Sequence, residues 1–132
     1  MATILIIDDE PEICRALTQM LARAGFRATA VGAAAEGIAA FEREPADIVI
    51  TDIIMPKIHG IDLIKAIRTK STAVRIIAIS GGGNFGPLGR EPGAITTQAY
   101  LAAAAKVGAD AVLTKPFDKV DLLAAVRRLL GP

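Results

Sequence analysis

The chain is short of several residue types on which whole classes of protein depend. It has no tryptophan, one tyrosine and one cysteine in 132 residues. A lone Cys14 cannot close an internal disulfide, so the natural setting is a reducing compartment and the expected location is cytoplasmic. Charge of one sign is also missing: fifteen Lys and Arg face fourteen Asp and Glu, a net charge of +1. That balance gives no bulk electrostatic reason for direct nucleic-acid binding or attachment to an anionic membrane. Long apolar runs are absent too. Asp8 and Asp9 cut off the run Ile4 to Ile7, so membrane insertion is not expected. The N-terminus lacks the basic start and long apolar core of a secretory signal. What remains is a composition that folds: 52% of the residues are hydrophobic, 22% are charged, and alanine alone supplies 25 positions. A chain of this size buries roughly two-thirds of its unfolded surface, enough for a core without disulfides or a structural metal.

The main pattern is alternation of element types. Thr3 to Ile7 is a β-branched and aliphatic run ending in acids, as a strand buried on both faces reads. Pro11 suits a first helical turn, and Ile13, Leu17, Met20, Leu21 and Ala24 recur at helical spacing until Gly25. Phe26 to Val31 forms a second strand, and Ala34, Ile38 and Phe41 stripe a second helix that ends before Pro45. Asp47 to Asp52 repeats the first strand's design. A loop through Pro56 and Gly60 leads to a helix bearing Ile61, Ile64 and Ile67. Arg75 to Ser80 is a fourth strand, Ala109 to Thr114 a fifth, and Val120, Leu123, Val126 and Leu130 mark a last amphipathic helix. The expected fold is α/β: a doubly wound, five-stranded parallel sheet flanked by five helices, flavodoxin-like, with strand order 2-1-3-4-5. Gly131-Pro132 follows the last helix directly, so the expectation is one domain over residues 1–132 with no output domain.

Ligands of such sheets bind at the carboxyl ends of the strands. The residues there are Asp8, Asp9, Asp52, Ser80 and Lys115. Carboxylates brought together at strand ends repel one another, and a hard divalent cation with oxygen ligands relieves the repulsion; Mg²⁺ is the usual ion when phosphate is also present. Lys115 and Ser80 add a cation and a hydroxyl suited to phosphoryl oxygens. Asp52 ends the central strand and is the natural nucleophile, because carboxylates form acyl-phosphates when metal and cation neutralise the incoming group. The set reads as phosphoryl transfer onto Asp52.

Asp8-Asp9, Asp52 followed by Met55-Pro56 and Gly60, Ser80 after a hydrophobic strand, and Lys115-Pro116-Phe117 together resemble the receiver domain of two-component response regulators, across essentially the whole chain. The resemblance implies that Asp52 is the phosphoacceptor. Asp9 is then a direct Mg²⁺ ligand, with Mn²⁺ a possible substitute. Asp8 acts mainly through water, and Ile54 offers a backbone carbonyl to the metal. It further implies that Lys115 pairs with Asp52 and then with the phosphoryl group, while the Ser80 hydroxyl and the Gly81 N–H support the same oxygens. The phosphoryl donor is a sensor histidine kinase or a histidine phosphotransfer protein, and a downstream protein target docks on the fourth and fifth helices and the fifth strand. The chain is then no enzyme in the usual sense, catalysing only its own phosphorylation and dephosphorylation.

Plainer readings stand beside each of these. Asp8 and Asp9 suit the N-terminus of a helix as caps, Cys14 suits a small core position, and His59 suits loop packing. Gly81-x-Gly83-x-x-Gly86 matches the letter of the dinucleotide fingerprint, but Pro87, Gly89, Pro92 and Gly93 delay the helix that motif must open. A phosphohydrolase of the aspartyl-phosphate type carries a second acid two residues after its nucleophile, where this chain has Ile54. That same apolar Ile54 cannot orient a water, so slow hydrolysis of the aspartyl phosphate is expected. A degenerate receiver, kept only for binding, would typically have lost an acid or the lysine. Finally, Val112 stands where many relatives carry a switching aromatic. Two readings of the glycine-rich run 81–93 then stand side by side: a loop that carries the switch by re-aiming the helix that holds Tyr100 and Leu101, or a passive insertion beside an ordinary helix.

Overall fold

The computed structural model describes residues 2–52, 60–81, 102–115 and 118–131. Five strands, β1 (Thr3–Ile7), β2 (Arg27–Val31), β3 (Ile48–Asp52), β4 (Arg75–Gly81) and β5 (Ala111–Lys115), form one sheet. Every neighbouring pair is parallel, and the order is β2-β1-β3-β4-β5. The helices are α1 (Pro11–Arg23), α2 (Ala34–Arg43), α3 (Gly60–Lys70), α4 (102–107) and α5 (Lys119–Leu130). The expected doubly wound fold with strand order 2-1-3-4-5 is the one observed.

Strand periodicity explains the two cores. Ile4, Ile6, Ile48, Ile50, Ile77 and Ile79 point to one side and pack with Leu17 and Leu21 of α1 and with Leu122, Leu123 and Val126 of α5. Their alternates Leu5, Ile7, Val49, Ile76 and Ala78 point to the other, against Phe41 of α2, Leu63, Ile64 and Ile67 of α3, and Ala104 of α4. Because β1 and β3 face both layers, they carry the unbroken aliphatic runs Ile4–Ile7 and Ile48–Ile50, whereas edge strand β2 (RATAV) has no buried residue. Gly37 lets α2 come close to β1. A Cβ built there would lie 2.8 Å from Ile7 Cγ1 and 3.3 Å from Cγ2, so the glycine gives up helix propensity for contact.

The amino edge of the sheet is tied by side chains that strand periodicity alone misassigns. Asp47, expected to open the third strand, lies just outside it. Its carboxylate accepts from the Thr3 N–H at 2.9 Å and the Thr3 hydroxyl at 3.2 Å. Ala109 and Asp110, expected in the fifth strand, also precede it. There Gly108 turns the chain at φ +131°, and Asp110 accepts from the Ile76 N–H at 2.8 Å. Arg68, from the last turn of α3, joins these pieces. Its guanidinium donates to the Gly108 carbonyl at 2.7 and 3.1 Å, to the Val74 carbonyl, and to Asp110 at 2.7 Å.

Candidate functional site

Register places the acids at the opposite edge. Ile7 of β1 pairs with both Val31 and Thr51, so Asp8 emerges from the sheet beside the end of β3, where Asp52 is the last strand residue. The Asp8 N–H donates to the Val31 carbonyl at 3.1 Å, continuing the ladder one residue past β1. Asp52 pairs with Ile79, Ser80 with Thr114, and Gly81 with Lys115. The backbone therefore brings Asp8, Asp52, Ser80, Gly81 and Lys115 to adjacent strand ends. Ile54, Pro116 and the run 82–93 lie outside the described residues, as do the side chains of Ser80 and Lys115.

Carboxylate oxygens of Asp8, Asp9, Glu10 and Asp52 lie within 4.8 Å of one another. Asp8 and Asp52 are 2% and 4% exposed, Asp9 is exposed and Glu10 is half-buried. Burying charged carboxylates side by side is unfavourable unless a cation shares the space. The donors are all oxygen, which suits a hard divalent cation such as Mg²⁺ rather than a thiophilic one. Glu10 is the member that the sequence pattern did not single out. Its adjacency to Asp8-Asp9 was the available signal, but helix capping was the competing use of that stretch.

Capping is not what these acids do. The N-cap of α1 is Glu10 itself, and it makes no side-chain cap hydrogen bond. Asp8 instead accepts from the Glu10 N–H at 2.9 Å, which folds the loop back and holds the acids together. Cys14, read as a small core residue, is half-buried, and its thiol donates to the Asp8 carbonyl at 3.2 Å. It therefore anchors α1 to the acid loop as well as filling space. An open groove of about 360 Å³, lined by Asp8, Asp9, Pro11, Cys14 and Arg15, adjoins the cluster on the side of Asp8 and Asp9.

Other proteins are similar to this chain in sequence and fold. Residues 4–86 match the family model of the response regulator receiver domain. The sensory transduction protein RegX3 of Mycolicibacterium smegmatis is 32% identical over 130 residues, which are 98% of this chain and 51% of that protein. The chain thus spans about half the length of that curated relative. The response regulator receiver domain protein of Clostridium thermocellum superposes with a TM-score of 0.81 at 30% identity, covering 98% of this chain and 94% of the other. The Vibrio cholerae chemotaxis protein CheY4 superposes with a TM-score of 0.81 at 25% identity, with 98% of both chains covered.

Proposed function

We propose, from the premise that this chain belongs to the response regulator receiver domain family, that it signals by accepting a phosphoryl group on Asp52. The observation that carries the reading is the meeting of Asp8, Asp9, Glu10 and Asp52 within 4.8 Å at the carboxyl edge of the sheet. The donor is a phosphohistidine on a sensor histidine kinase or phosphotransfer protein, or a small acyl-phosphate. An Asp52 carboxylate oxygen attacks phosphorus in line and the new O–P bond forms; with an acyl-phosphate the P–O bond breaks and a carboxylate leaves, and with phosphohistidine the P–N bond to imidazole breaks. Its electron pair leaves on the ring nitrogen, which takes a proton from solvent.

Asp8 and Asp9 would hold Mg²⁺ beside Asp52, with the Ile54 carbonyl and water completing the oxygen set. When bound, the ion supplies charge neutralisation for the incoming phosphoryl group. The chain's own residues do the rest by position. Burial restricts the motion of the Asp52 carboxylate, which lowers the entropic cost of in-line attack. Lys115, at the end of β5, balances the charge of the aspartyl phosphate, and Ser80 and Gly81 donate hydrogen bonds to its oxygens. The product is a labile modification, so the chain turns over no external substrate and acts in the cytoplasm through a partner. The exposed large aliphatic side chains among the described residues, Val112, Val120 and Leu130, lie on β5 and α5. A downstream protein would meet them on the face of α4, β5 and α5.

Incubation with acetyl phosphate and Mg²⁺, followed by intact-mass measurement, tests the reading. One phosphate per chain is expected, absent with chelator and absent from Asp52→Asn. Repeated turnover of a phosphate ester would point to a phosphohydrolase instead, and no modification in any condition would leave a passive binding module.

A further inference from the structure

The residue before the acceptor is polar and fully enclosed. Thr51 is 0% exposed in β3 and shares its sheet face with Val49, whose neighbours are the aliphatic side chains of α2 and α3. A valine has nearly the same shape and would fill that layer without a hydroxyl to satisfy. A buried hydroxyl is tolerated when it is hydrogen-bonded and is otherwise unfavourable. Among the described residues, the Thr51 hydroxyl makes one hydrogen bond, donating to the Asp52 carbonyl at 3.0 Å. Strand alternation turns its side chain away from the face of Asp52, so any influence on the acids passes through this carbonyl.

We propose that Thr51 is a positioning residue for phosphoryl transfer, its hydroxyl holding the Asp52 carbonyl and so fixing how the Asp52 carboxylate is presented to the acid cluster. The carbonyl direction is set by the ψ torsion of Asp52. That torsion decides which side-chain rotamers of Asp52 are open and in which direction the chain leaves β3. A carboxylate displaced by a fraction of an ångström both attacks phosphorus and shares a cation less well, since positioning dominates this chemistry. The inference rests on the reading of Asp52 as the phosphoacceptor.

Thr51→Val and Thr51→Ser, made in the full chain, test it through three measurements. These are the thermal midpoint, the Mg²⁺ dissociation constant from amide-shift titration, and the rate constant for phosphorylation by acetyl phosphate at saturating Mg²⁺. Thr51→Val is expected to melt at or above the wild-type temperature. It should be phosphorylated about three- to tenfold more slowly, the range one lost hydrogen bond allows, and bind Mg²⁺ about two- to fivefold more weakly. Thr51→Ser keeps the hydroxyl and loses a methyl. It should melt lower yet keep the wild-type rate and Mg²⁺ affinity. A side chain that only packs would give the reverse order, and a Thr51→Val protein with wild-type rate and affinity overturns the proposal. So does a Thr51→Val protein that fails to fold, because the hydroxyl would then be structural. Should the wild type itself take no phosphate, the acceptor reading fails, and the Mg²⁺ titration alone decides whether Thr51 positions the acids.

Discussion

At the amino edge of the sheet, Asp110 accepts from the Ile76 N–H and faces the Arg68 guanidinium at 2.7 Å, while Asp47 accepts from both the N–H and the hydroxyl of Thr3. At the carboxyl edge, four carboxylates crowd within 4.8 Å of one another and two of them are buried. The same residue type thus serves two ends. Acids of the amino edge accept hydrogen bonds from Thr3 and Ile76 at the beginnings of β1 and β4 and from Arg68 of α3, and removing one strands its donors. Acids of the carboxyl edge lie side by side, and their repulsion is relieved by donors such as the Glu10 N–H on Asp8 and by any cation that shares the space. Substitutions at the two edges should therefore separate stability from phosphorylation.

The largest effect is expected at the carboxyl edge. Asp9→Asn removes one charge from the cluster, so the phosphorylation rate with Mg²⁺ should fall by about a hundredfold or more, the scale of a lost metal contact. Its thermal midpoint should stay level or rise, because like-charge repulsion is relieved. A fall in midpoint without a change in rate would reverse the assignment of the two edges.

Arg68→Met tests the amino edge. It leaves the carbonyls of Gly108 and Val74 and the Asp110 carboxylate without the guanidinium that joins them, at 18% side-chain exposure. Loss of about 2–4 kcal/mol is expected in denaturant unfolding, with the phosphorylation rate constant unchanged well below the melting transition. Gly37→Ala should have a smaller effect. The added Cβ meets the buried Ile7 side chain, and overpacking of about 1–3 kcal/mol is partly offset by about 1 kcal/mol of helix propensity. Denaturant titration should show a net loss of about 1 kcal/mol, and a stabilised variant would mean that Ile7 gives way freely.

The two edges also differ in how much of them could be read from the sequence. Strand ends at the carboxyl edge are marked by an abrupt switch from Ile-Leu-Ile-Ile to Asp8-Asp9 and from Ile-Val-Ile to Thr51-Asp52, so the parallel βα architecture and the placing of the acids at its carboxyl edge follow from hydrophobic patterning, whereas the strand order does not. Glu10 and Thr51 escaped notice because each has a commonplace alternative, a helix start and a β-branched strand residue. At the amino edge nothing in the pattern separates Asp47 or Asp110 from an ordinary strand beginning. Their roles depend on Thr3 and Arg68, which are distant in sequence and become neighbours only once the sheet is assembled.

The smallest effect sharpens what distinguishes the Arg68 network from an ordinary ion pair. Lys70 also belongs to the last turn of α3, and its ammonium lies 2.8 Å from the Glu42 carboxylate of α2. The separation is nearly that of Arg68 and Asp110, but the two side chains are 31% and 54% exposed. Water and salt screen such a pair, and holding two long side chains together costs entropy that offsets most of the attraction. A double-mutant cycle with Lys70→Ala and Glu42→Ala should therefore return a coupling of about 0–0.5 kcal/mol, vanishing in high salt. The corresponding cycle for Arg68 and Asp110 should return clearly more and keep most of it in salt, because both side chains are less exposed and each also holds backbone groups, the Gly108 and Val74 carbonyls and the Ile76 N–H. Equal couplings for the two pairs would show that proximity, and not the carbonyls and N–H groups gathered around Arg68 and Asp110, makes the amino edge stable.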